Sequence, residues 1–217
     1  MPVKGQLRNH IDIPRWRRRV KRVVLCGVLA AGSLAGEAGA QLHAVPVTDP
    51  NAVYELQGYS VLPPPGKSWF EMQRDGQQAL FGKKIESRTH SFVATATSGL
   101  ISEKFATREL FQEYVNKMRT ADIDAARYQI VEFASEVDNT FPAWCVRYRL
   151  KRLDRDAALA RTRTLLLEDY GVTCLHPGNA ELVVDVGYSE RGRPAEFSAE
   201  LRKEGESFMR SLKFTSR

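Results

Sequence analysis

No stretch of this 217-residue chain stays apolar for the roughly 20 residues that a membrane-crossing helix needs. The leading apolar run, Val23–Gly36, is about 14 residues, and no second apolar run is long enough to cross a membrane. Histidine is scarce, with four in the chain, and cysteine scarcer still, at positions 26, 145 and 174. No two cysteines stand as Cys-x-x-Cys, so the short-range redox motif is missing. There is no Gly-x-Ser-x-Gly elbow, no phosphate-cradling glycine loop and no His-Glu-x-x-His helix. Three large enzyme classes therefore lack their sequence signature here.

What the chain does have begins with Arg17, Arg18, Arg19, Lys21 and Arg22, a basic cluster directly before the Val23–Gly36 run. Ala38-Gly39-Ala40 follows, a small-residue cleavage pattern. Charged, apolar and cleavage regions in that order describe a secretory signal peptide over residues 1–40, with a mature chain starting at Gln41. An uncleaved anchor through residues 23–36 is the alternative. Cys26 sits at the start of the apolar run, the wrong end for lipid attachment. Residues 1–40 also hold eight of the 32 Lys/Arg and two of the 26 Asp/Glu, so 24 of each sign remain beyond them. The formal charge of +6 thus belongs to the targeting segment, and the net basic excess of a nucleic-acid binder is absent from the rest.

Export also sorts the cysteines. With Cys26 removed, Cys145 and Cys174 are a lone pair in an oxidising compartment, which predicts one structural disulfide. Closing a loop of about 30 residues is worth about 3–4 kcal/mol in the chain-entropy model. If the two face each other across an antiparallel hairpin, paired residue numbers sum to 319. Lys151 then meets Glu168, Arg149 meets Tyr170 and Leu153 meets Leu166: an ion pair, a cation–π contact and an apolar pair.

Periodicity supplies the other elements. Residues 41–57, with Pro46, Asp49 and Pro50, read as a flexible leader, and a single domain is expected over 58–217. Strand character appears at Tyr59–Leu62, halted by Pro63-Pro64-Pro65-Gly66. It returns at Trp69–Gln73 and Ala79–Ile85 about an Asp75-Gly76 turn, and at His90–Thr97. Leu110, Phe111, Tyr114, Val115 and Met118 form one helical face capped by Thr107. Further strands are expected at Tyr128–Val137, Ala143–Leu153, Thr164–Leu175 and Glu181–Tyr188. Phe197, Leu201, Phe208, Met209 and Leu212 mark a second amphipathic helix, with Pro194 at its start and Gly205 as an interior weak point. The fold class is α+β: an antiparallel sheet of about six to eight strands with a central and a C-terminal helix packed on it.

Candidate chemistry is thin. Of the histidines beyond the signal, His43 falls in the leader, leaving His90 and His176. Cys174-x-His176 would make half a metal site only with Cys145 reduced. Asp122 and Asp124 have calcium-loop spacing without the glycine and closing glutamate, and read as a turn. Ser189, Glu190 and Arg191 read as an exposed polar turn after a strand. The basic run Arg147, Arg149, Lys151 and Arg152 reads as a solvated strand face, with Asp154, Glu168 and Asp169 near it in sequence. Trp144 and Tyr148 alternate as core residues.

The start Gly58-Tyr59-Ser60-Val61-Leu62-Pro63, Trp69, one central helix and the ending Phe208-Met209-Arg210-Ser211-Leu212-Lys213-Phe214 together resemble the PsbP-like α/β/α sandwich. That fold is named for an extrinsic photosystem subunit, and the likeness covers residues 58–214 as an order of elements. The resemblance implies a non-catalytic binding or accessory domain, and it carries over no functional residue. The expected protein is an exported (periplasmic or secreted), disulfide-stabilised module of the bacterial cell envelope. It needs no cofactor or metal, does not bind nucleic acid, and partners another envelope protein or a small ligand. The competing expectation is a hydrolase-type enzyme using Glu190, His90 or His176 in a site assembled in space.

Overall fold

The computed structural model describes residues 44–121, 123–156 and 164–216. The expected signal peptide, His43 and Asp122 lie outside them. Along the described chain run β1 (Val45–Pro46), β2 (Tyr54–Leu56), β3 (Tyr59–Val61), β4 (Trp69–Arg74), β5 (Gln78–Lys83) and β6 (Ser91–Leu100). Helix α1 (Arg108–Thr120) follows, then β7 (Tyr128–Asp138), β8 (Trp144–Asp154), β9 (Leu165–His176) and β10 (Asn179–Gly192). A 3-10 turn at Pro194–Glu196, helix α2 (Ala199–Arg210) and β11 (Lys213–Phe214) complete it. The fold is α+β. Eight strands form one antiparallel sheet in the order β1-β4-β5-β6-β10-β9-β8-β7, and β11-β3-β2 form a second, small one.

The two faces of the large sheet are covered unequally. Alternation sends Phe92, Ala94 and Ala96 of β6 and Val184, Val186 and Tyr188 of β10 to one side, where α2 and the small sheet enclose them. Phe81 stands edge-on to both Tyr54 and Phe208 at ring distances of 5.1 and 5.7 Å, tying the small sheet and α2 to the same layer. On the opposite side α1 packs mainly over β7 and β8, burying Phe111 and Val115 against Val146 of β8 and Val183 of β10. Thr107 caps α1 as the sequence implies, its hydroxyl accepting from Leu110 N.

Three expectations need correction. Residues 44–57 are built into the fold: β1 pairs with β4, β2 pairs with β3, and Tyr54 and Leu56 are core residues. The proline-rich composition there breaks long periodicity but leaves room for short strands. Pro194 opens the 3-10 turn, and Ser198 is the residue that caps α2. Gly205 is required by close packing: a Cβ there would stand 2.5 Å from the Tyr188 ring.

Cys145 and Cys174 are bonded across β8 and β9 with their Cα atoms 4.1 Å apart. The register around them sums to 319 throughout: Lys151 faces Glu168, Arg149 faces Tyr170 and Leu153 faces Leu166.

Candidate functional site

The residues expected as a polar turn include a fully buried carboxylate, Glu190. β10 continues through Ser189, Glu190 and Arg191, pairing with β6 and β9 to its end. Glu190 lies inward, directly opposite both Phe92 and Glu168. Two carboxylates side by side on one sheet face repel unless cations bridge them. Arg202 of α2 does so, with Nη2 3.1 Å from Glu168 Oε2 and Nε 3.6 Å from Glu190 Oε2. Lys151 adds a contact at 3.4 Å to Glu168 Oε1. Glu190 Oε1 accepts from the Ser198 amide at 3.1 Å and lies 2.9 Å from His90 Nε2. The Tyr170 hydroxyl donates to Glu168 at 2.6 Å; burial, aided by that carboxylate, pushes the phenol up to about 12.

A histidine and a carboxylate are thus in hydrogen-bond reach, the first requirement for acid–base work. The second requirement is access. The His90 side chain is 6% exposed and that of Glu190 0%, with the imidazole stacked on Phe197 at 6.2 Å. The pair lies beneath the start of α2 as part of the packing between helix and sheet.

The other candidates are absorbed by structure. His176 Nδ1 accepts from the Gly178 amide at 3.1 Å and Nε2 donates to the Thr215 carbonyl at 3.0 Å, so both ring nitrogens are engaged. Its neighbour Cys174 is in the disulfide, and no group of three His, Cys, Asp or Glu stands at metal-binding distance among the described residues. Asp124 accepts from Ala126 N at 3.0 Å in the turn that leads into β7.

Each member of the basic run meets a carboxylate. Arg147 binds Asp138 at 2.6 Å, Arg149 and Lys151 reach Glu132 at 3.2 and 3.3 Å, and Arg152 binds Asp169. Burial works against the Asp138 charge, but hydrogen bonds from Thr140 and Arg147 outweigh it and hold the carboxyl below its usual range. On the α1 side Arg119 lies over the Tyr148 ring at 3.9 Å and pairs with Asp185. Tyr148 packs so closely over Gly171 that no side chain fits there.

The surface left over is the outer edge of the sheet. β7 is eleven residues long and pairs only with β8. Between Ile130 and Glu132 the register slips, with Val131 as the extra residue of a bulge. Ile130 and Val131 are 40% and 55% exposed. Ile130 also lines a cavity of about 420 Å³ with Thr120, Ile123, Ala125, Tyr128, Gln129 and Arg155. Neither the cavity nor Arg202 is legible as a site in the sequence. Isolated apolar residues on a strand look like core until the edge position is known.

No protein-family model matches the chain, and no curated protein matches it in sequence. Among solved structures, cyanobacterial PsbP (CyanoP) from Synechocystis aligns over 85% of this chain and 98% of its own. The identity is 14% and the TM-score 0.35. The chain is similar to PsbP in fold. The Ran-binding protein Mog1p of Saccharomyces cerevisiae aligns over 76% of this chain and 95% of its own, at 8% identity and a TM-score of 0.39.

Proposed function

We propose that this chain is an exported, disulfide-stabilised, non-catalytic binding or accessory domain of the bacterial cell envelope that docks to another envelope protein. One contrast carries the reading. The His90–Glu190 pair is buried beneath α2, whereas β7 presents a long sheet edge with exposed Ile130 and Val131 beside a cavity. A histidine–carboxylate pair without access to substrate serves packing, and a free edge with apolar residues is suited to a partner. The cross-strand disulfide and the sequence pattern of residues 1–40 support work outside the cytoplasm. Among the described residues no helix is long and apolar enough to cross a membrane.

The test places a photocrosslinking amino acid at Val131, with a control at Glu200 on α2, in the full chain expressed in a bacterial host. Cells are fractionated, and the mature amino terminus is read by mass spectrometry. A discrete envelope-protein adduct from position 131, none from position 200, and a chain starting at Gln41 are the expected results. No adduct from either position overturns docking. An intact amino terminus replaces the free module with one tethered through residues 23–36.

A further inference from the structure

We infer that β7 captures an extended, basic segment of its partner as an added antiparallel strand; this rests on the docking reading above and names the partner's chemistry. The two ends of the large sheet differ in kind. At one end β1 is two residues long and includes Pro46, which has no amide to donate, so that edge offers little to a further strand. At the other, β7 runs for eleven residues without proline or glycine. Past the bulge at Val131, residues 132–138 pair regularly with β8 and with no second strand among the described residues, and the Ser135 carbonyl accepts from Gln112 Nε2 of α1 at 3.2 Å.

Charge decides what fits. Glu132, Glu136 and Asp138 of β7 share the α2-side face. Glu132 is matched by Arg149 and Lys151, and Asp138 by Arg147. Arg147 is the residue directly across from Glu136 on β8, yet its guanidinium is committed to Asp138 through Nε at 3.0 Å and Nη2 at 2.6 Å. Glu136 is exposed and has no ion-pair partner among the described residues. A Lys or Arg on a strand added outside β7 would stand opposite it, the favourable cross-strand arrangement. The same acids oppose a second copy of this chain. Antiparallel pairing of β7 with itself about Ala134 sets Glu132 against Glu136 twice, and pairing about Ser135 sets Glu132 against Asp138.

The cavity adds a second requirement. Ile130 and Glu136 face opposite sides of the sheet, and because of the bulge their β8 partners, Arg152 and Arg147, are five residues apart. An antiparallel guest following the same spacing meets Glu136 first and Ile130 five residues later. It therefore carries a basic residue and, five positions on, an apolar side chain for the cavity lined by Ile123, Tyr128 and Ile130.

The probe is a fluorescein-labelled ten-residue peptide of alternating Thr and Val carrying one Lys and, five residues later, one Leu. Control peptides replace the Lys by Glu or the Leu by Ser. Fluorescence anisotropy should show saturable binding of the Lys/Leu peptide, at least tenfold weaker binding of either control, and reversed Lys/Glu preference for E136K. E136K alters an exposed residue and should fold. Amide hydrogen exchange should slow on binding within 132–138. Equal binding of all three peptides, no saturation by any, an unchanged preference in E136K, or slowed exchange confined to other strands each overturns the inference. An adduct from position 131 without peptide binding leaves docking standing and removes the basic extended guest. Absence of that adduct removes docking itself.

Discussion

Replacing Glu190 by Gln tests whether the buried cluster is held together by charge. The carboxylate accepts from Ser198 N and His90 Nε2 through Oε1, and faces Arg202 through Oε2. An amide of the same shape keeps both Oε1 contacts when its oxygen takes that position, but they become neutral. Hydrogen bonds to charged groups contribute about 1.5–3 kcal/mol against about 0.5–1.5 for neutral ones, so the two together lose about 2 kcal/mol. The amide NH2 then points at the Arg202 guanidinium, donor against donor. Arg202 retains Glu168 and is one-third exposed, which limits this second loss to about 1 kcal/mol. Relief of repulsion between Glu190 and Glu168 returns part of the total, for a net destabilisation of about 2–3 kcal/mol. In a domain of this size about 1 kcal/mol moves Tm by 2–4 °C, so the melting point should fall by about 4–12 °C. Urea unfolding followed by tryptophan fluorescence gives the free energy directly. A cycle with Arg202→Met separates the Glu190–Arg202 coupling, expected at about 1 kcal/mol, from loss of the two single contacts. An E190Q protein within about 0.5 kcal/mol of the parent would mean that charge on this side chain does not hold the cluster together, and the charge-based account would fail.

Removing both cysteines as Ala should lower stability by about 3 kcal/mol in urea titrations, and a loss under about 1 kcal/mol would contradict the loop-entropy estimate. Gly205→Ala should destabilise, even though alanine gains about 1 kcal/mol of helix propensity, because its Cβ would meet the Tyr188 ring at 2.5 Å; a raised melting point would show that the ring moves aside. Backbone hydrogen bonding at Arg193, with the Ser87 and Thr89 hydroxyls, holds the Glu196 carboxyl down at about 2 against an ordinary 4.5. A lowered acid contributes stability that is present above the unfolded value and lost as pH falls through the folded one. The stability gap between the parent and Glu196→Gln should therefore narrow from about pH 4.5 towards pH 2, and a gap constant over that window would remove Glu196 from the acid response.

The sequence makes legible what alternation and covalent pairing control. The β8–β9 register follows from placing Cys145 opposite Cys174, and Phe111, Val115 and Met118 of α1 are buried as their three- and four-residue spacing implies, whereas Leu110 of the same expected face is exposed. Two kinds of element escape. Short strands such as Val45–Pro46 and Tyr54–Leu56 are too brief to show a period, and depend on the residues of β4 and β3 that receive them. Glu190 escapes because an inward carboxylate reads as solvent-facing until its partners are known, and these come from four places in the chain: His90, Glu168, Ser198 and Arg202. The edge is hidden for a related reason. Tyr128–Asp138 carries Ile130, Val131, Phe133 and Val137 as a β-branched and aromatic stretch, and only the strand order reveals that β7 ends the sheet. Its acids then take on meaning from geometry. Arg147 stands across from Glu136 but bonds to Asp138, two residues along β7. That diagonal choice leaves one carboxylate at the open edge for a cation the described chain does not supply.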